Sequence, residues 1–195
     1  MPRLLIFLSI IFLCHTVGCS DMSEDNKKTE TIETASGSFV AHSKTVPDVP
    51  QLIQPVTGDD LVELRSFNDQ SKEFLYTYLG SGIPPTLESY DLAFERWQAS
   101  ELPEHTSKQV IDILGGVLGN YCIDNLDMEW VIVTDEFGTD YGVRHLKSEV
   151  MAFPFSSVVK RIEKKESDFM VAVFEITKHT IKNGEARARP TRSND

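Results

Sequence analysis

Between Thr106 and Cys122 the sequence TSKQVIDILGGVLGNYC narrows the folds open to this chain more than any other stretch. Thr106 and Gln109 stand at capping-box spacing, and Val110, Ile113, Leu114, Val117, Leu118, Tyr121 and Cys122 recur at helical intervals. Three glycines, Gly115, Gly116 and Gly119, sit inside that helix although each costs about 1 kcal/mol relative to alanine. Such positions call for bulky neighbours pressed against the helix backbone. A phosphate cradle would instead place its glycines in the loop before a helix, where amides are open.

Flanking segments extend the pattern. Ser66 is placed to cap a helix with Phe67, Phe74, Leu75, Tyr78 and Leu79 on one side, and GSGIPP then breaks the chain. Thr86 starts a second helix bearing Leu87, Tyr90, Phe94 and Trp97. After Cys122, the runs WVIVT, YGVRHL and VMAF, separated by DEFGTD and KS, predict three short antiparallel strands. Pro154 suits the first turn of a helix with Phe155, Val158, Val159 and Ile162 inward and Lys160, Arg161 and Lys164 outward. The run FMVAVFEITKHTI reads as a final helix capped by Ser167, with Met170, Val173, Phe174 and Ile181 on one side, although a strand fits its composition too. The expected class is α+β, a small three-stranded antiparallel sheet packed with about five helices.

The amino terminus carries a different message. Arg3 precedes the apolar run LLIFLSIIFL, roughly half the ~20 residues a membrane-spanning helix needs, so export is expected and not a retained span. The following CHTVGCS resembles the lipobox of bacterial lipoproteins, with Gly18 before Cys19. That resemblance implies diacylglycerol on the Cys19 sulfur, cleavage before it, and attachment to the membrane through the acyl chains. Thr16 departs from the pattern, which prefers an aliphatic residue there, and ordinary secretory cleavage after Gly18 is the alternative. Ser20 lacks the aspartate of inner-membrane retention, which in a Gram-negative cell implies the outer membrane, facing the periplasm.

The boundaries expected on these grounds are a signal at 1–18, a flexible tether at 19–58, one domain at 59–183 and a disordered tail at 184–195. The tether is rich in Ser, Thr, Glu and Pro and poor in large apolar residues, and Gly184 reads as a helix stop. Its late part, VPDVPQLIQPV, is of a kind that lies extended against a domain. Of the three cysteines only Cys122 falls in the body, so no internal disulfide is available, and its apolar setting marks it as core packing.

The net charge is −11, with 12 Lys plus Arg against 22 Asp plus Glu between Asp59 and Asn183. An acidic body is repelled by phosphate backbones, so nucleic acid is excluded as a partner class.

The series ILGGVLGNYCIDNLDMEWVIVTDEFGTDYGVRH followed by FPFSSVVKRIE resembles a bacterial domain-of-unknown-function family, number 3806. Its pattern is a glycine-bearing helix, a Trp-containing strand, an acidic-aromatic-glycine turn, and a Phe-Pro segment ending in Lys-Arg. The likeness runs from about Val110 to Glu175, a third of the chain, and implies a small α+β domain with no assigned substrate or cofactor.

Chemistry has to be read from the residues. His42, His105, His145 and His179 show no helical zinc spacing, and no G-x-S-x-G elbow or paired-cysteine site is present. DEFGTD lacks the oxygen ladder of a calcium loop. No metal or cofactor is therefore expected. The expected role is a non-catalytic binding or accessory protein of the cell envelope with a protein partner. Asp135, Glu136, Asp140, Arg144, Lys160 and Arg161 form its candidate interaction surface. An immunity protein that neutralises a basic toxin is one alternative, and a hydrolase using Asp135, Asp140 or His145 is another.

Overall fold

The computed structural model describes residues 27–34, 37–44, 50–136 and 138–188. Two antiparallel sheets and five helices make an α+β architecture. Strands β1 (Lys27–Thr34) and β2 (Gly37–Lys44) pair as one hairpin, with Ile32 opposite Phe39. The larger sheet runs in the order β3 (Leu52–Pro55), β4 (Met128–Asp135), β5 (Gly138–His145), β6 (Met151–Ala152). Its helices are α1 (Gly58–Leu79), α2 (Leu87–Ala99), α3 (Ser107–Leu126), α4 (Pro154–Lys164) and α5 (Met170–Ala188).

The three expected strands are β4, β5 and β6, and β3 adds a fourth. Leu52 pairs with Thr134 and Pro55 with Val131, which extends the sheet at its β4 edge. Proline is tolerated there because an edge strand leaves one row of amides without a ladder partner. Part of the span read as a tether is therefore structured. Ile32 is 3% exposed and Val56 5% exposed, both within the core, so burial begins before residue 59. A single apolar side chain on a mostly threonine and glutamate strand gives too little periodicity to be seen in the sequence.

Helix α3 is the centre of the core. Its capping box forms as read, with Thr106 and Gln109 each satisfying the other's backbone amide. Val110, Leu114, Leu118 and Cys122 are fully buried. Burial of an aliphatic side chain is worth roughly 1.5–3 kcal/mol. Its glycines admit aromatic rings: a Cβ on Gly115 would enter Phe155, one on Gly116 would enter Phe67, and one on Gly119 would enter Trp130. Asn120 on the same helix takes the Trp130 Nε1–H at 3.0 Å on its Oδ1 and donates through Nδ2 to the Leu64 carbonyl at 2.8 Å. The buried polar group is thus satisfied on both sides.

Several caps differ from the local reading. Ser66 lies inside α1 and donates to the Glu63 carbonyl, because the helix begins eight residues earlier at Gly58 after Thr57. Thr86 caps α2 as read, its side chain accepting the Ser89 amide, and Pro154 opens α4. Ser167 does not cap α5. The amides of Phe169, Met170 and Val171 donate to the Asp91 carboxylate at 2.9, 2.9 and 3.3 Å, so the cap comes from α2 across the core. Gly184 does not stop α5, which continues to Ala188. The helical choice for this segment holds, with Met170, Val173, Phe174 and Ile181 all buried.

Candidate functional site

Helix α4 starts immediately after β6 and packs on α3 and β5, and α5 also touches α3. Between them a cleft of about 470 Å³ opens toward the β4–β5 turn. Its walls include Val133, Phe153, Val159 and Val173, and polar groups gather at its rim. Asp135 and Asp140 come from the turn, Ser156 and Lys160 from α4, and Thr177 and Thr180 from α5. A largely apolar concavity with a few convergent polar groups is the usual form of a binding site.

Contacts within the cleft fix these side chains. Ser156 Oγ donates to Asp140 Oδ2 at 2.6 Å, and Gln51 Nε2 donates to Asp135 Oδ2 at 3.3 Å. Lys160 is half-buried. Burial first, and then Arg161 and Lys164, lower the ammonium pKa, against the opposing pull of Asp140 and Glu163.

The six residues expected to share one surface are divided. Asp135, Asp140 and Lys160 line the cleft. Glu136 is exposed on the turn beside it. Arg144, at the far end of β5, pairs with Glu129 at 2.6 Å across the β4–β5 ladder. Arg161 is 2% exposed and cannot be an interaction residue. Its guanidinium lies 3.3 Å from Glu166 and 5.9 Å from the Phe169 ring centroid. The outward reading of Arg161 fails because Val158, three residues earlier on the same face, is fully buried and carries the arginine inward with it.

His145 is also outside the cleft, its Nδ1 hydrogen-bonded to Ser148 Oγ at 2.8 Å. The three residues of the hydrolase alternative are therefore not brought together. Cys122 is fully buried, and burial pushes its thiol up to about 12, the setting of an inert core thiol. Among the described residues, no group of three His, Cys, Asp or Glu is placed to hold a metal ion, and no helix is long and apolar enough to cross a membrane. The signal run and Cys19 lie outside the described residues.

Ser156, Thr177 and Thr180 were not singled out from the sequence, and Val173 was read only as part of the inner face of the last helix. A signal was there: Thr177 interrupts the apolar face of α5 four residues after Val173, and it is buried. A buried hydroxyl on a core-facing stripe marks either a local backbone bond or a polar cavity.

Residues 92–174 match the model of a family described as Domain of unknown function (DUF3806). No curated protein matches. A crystal structure from Bacteroides thetaiotaomicron VPI-5482 is similar in fold, with a TM-score of 0.51 over 76% of this chain and 68% of that one, at 10% identity. The matched family segment spans most of α2, all of α3, the β4–β5 hairpin, β6, α4 and the start of α5, which together build most of the cleft. The likeness to the DUF3806 model thus falls on residues 92–174, where the helices and strands around the cleft are concentrated.

Proposed function

We propose that the protein is an exported, lipid-anchored component of the bacterial cell envelope that acts as a binding or accessory module, with the α4–α5 cleft as its docking site. The observation that carries this reading is the cleft itself. It gathers Asp135, Asp140 and Lys160 from separate elements around apolar walls, with the Ser156 hydroxyl held by Asp140 and the Thr177 hydroxyl by the Val173 carbonyl. Export and anchoring through Cys19 rest on the apolar amino-terminal run and the lipobox-like CHTVGCS.

The test is photo-crosslinking in cells from Thr180, with Val173→Trp filling the cleft and Cys19→Ser removing the anchor. A discrete adduct that Val173→Trp abolishes is expected, together with palmitate labelling that Cys19→Ser abolishes. An adduct indifferent to the tryptophan, or no adduct from folded and anchored protein, would remove the cleft from the reading. Palmitate labelling that persists in Cys19→Ser would remove the anchor.

A further inference from the structure

The cleft's side chains divide by hydrogen-bonding sense. Ser156 Oγ gives its hydrogen to Asp140, and Ser157 Oγ gives its own to the Phe153 carbonyl at 2.9 Å. On the opposite wall Thr177 Oγ1 donates to the Val173 carbonyl and Thr180 Oγ1 to the Ile176 carbonyl, each at 2.8 Å. A hydroxyl has one hydrogen and two lone pairs. All four therefore commit their hydrogen within the fold and turn only lone pairs to the cleft. Bonding to the i−4 carbonyl is ordinary for helical Ser and Thr. Here it recurs on both helices around one concavity.

The carboxylates of Asp135 and Asp140 add further acceptors. The other lining side chains able to donate are Gln51, which already bonds Asp135, Thr139, whose hydroxyl is shared with that of Thr134, and Lys160, whose ammonium lies in the field of Asp140. Two carboxylates against one ammonium leave the rim net acidic, in a chain of net charge −11. Such a lining is complementary to a ligand rich in donors and positive in charge.

The acceptors are also spread over three elements: the β4–β5 turn, α4 and α5. A single ammonium cannot reach all of them at once. An extended polypeptide can, because it carries an amide N–H at each residue as well as its side chains. We propose that the cleft takes a polypeptide segment in which a lysine or arginine stands next to apolar residues, the cation at Asp135 and Asp140 and the apolar side chains against Val133, Val159 and Val173. This rests on the reading of the cleft as a docking site.

Titration calorimetry on the folded Cys19→Ser chain tests it with three probes: the blocked peptide acetyl-Val-Lys-Leu-Lys-Val-amide, its glutamate counterpart, and n-octylamine. The basic peptide is expected to bind at least about tenfold more tightly than either of the others, since rim charges set partner choice. Asp135→Asn with Asp140→Asn is expected to weaken it by about tenfold, while Glu88→Gln on the exposed surface of α2 leaves it unchanged. Thr177→Val, which keeps the shape and removes the lone pairs, is expected to weaken it severalfold without altering the fold. Equal binding of the glutamate peptide, indifference to the Asn substitutions, or no binding of the basic peptide would overturn the proposal. Octylamine binding as tightly as the peptide would make a small amine the occupant and overturn it too. If Val173→Trp still abolishes the cellular adduct in any of these cases, the cleft remains the docking site and only the ligand class is wrong.

Discussion

At Gly119 a methyl group would enter the Trp130 ring, which is held by its hydrogen bond to Asn120 and has no room to withdraw. Alanine would gain about 1 kcal/mol of helix propensity but incur an overpacking penalty of typically 1–3 kcal/mol. Gly119→Ala is therefore expected to lose up to about 2 kcal/mol of stability net, read from the urea midpoint. A stabilised variant would mean that Trp130 is not packed on the backbone of α3. This close approach was legible in the sequence, because a mid-helix glycine is unfavourable unless a neighbour needs its space. Arg161 was not legible in the same way. Charge alone placed it outside, although its spacing from Val158 put it on the buried face. The ion pair with Glu166 and the Phe169 ring are what make burial tolerable, and neither is visible in local sequence.

Among the elements, α5 shows how far a local rule reaches. Its helical period was readable, but its amino-terminal cap is Asp91, 78 residues before Phe169, and no local pattern links the two. Asp91 is 5% exposed. Burial raises its carboxyl to about 6, outweighing the three amide hydrogen bonds that favour the charged form. The folded state thus holds the Asp91 proton more tightly than the unfolded chain does. Stability is favoured by protonation as pH falls from about 6 toward 4, and the full cost of the buried charge is present above pH 6. Relative to Asp91→Asn, which cannot titrate, the parent chain is expected to gain about 2 kcal/mol between pH 7.5 and pH 4.5. Paired denaturation curves at the two pH values check this. The opposite sign would mean that the amides and Arg161 together hold the carboxyl ionised, with its pKa depressed.

For the whole molecule, the α+β class and five helices followed from periodicity, while the sheet's fourth strand and the amino-terminal hairpin did not. β3 is four residues long and includes a proline, and β1 buries only Ile32 among its described side chains. Elements that gain their stability from what they lean on leave little trace in their own composition. The cleft was half legible for the same reason. The acidic turn and Lys160 stood out by charge, but the α5 wall that completes the site depends on tertiary packing. The hairpin also changes how far the domain could stand from a bilayer. With the proposed lipid on Cys19, a free spacer up to residue 58 would allow a reach of about 140 Å, whereas the eight residues before Lys27 extend no more than about 28 Å. Neutron reflectometry on a supported bilayer should then show a dense protein layer starting within about 30 Å of the headgroups, and a diffuse layer farther out would contradict it. On so short a leash the cleft would meet whatever drifts along the membrane surface and could not sweep the space beyond it.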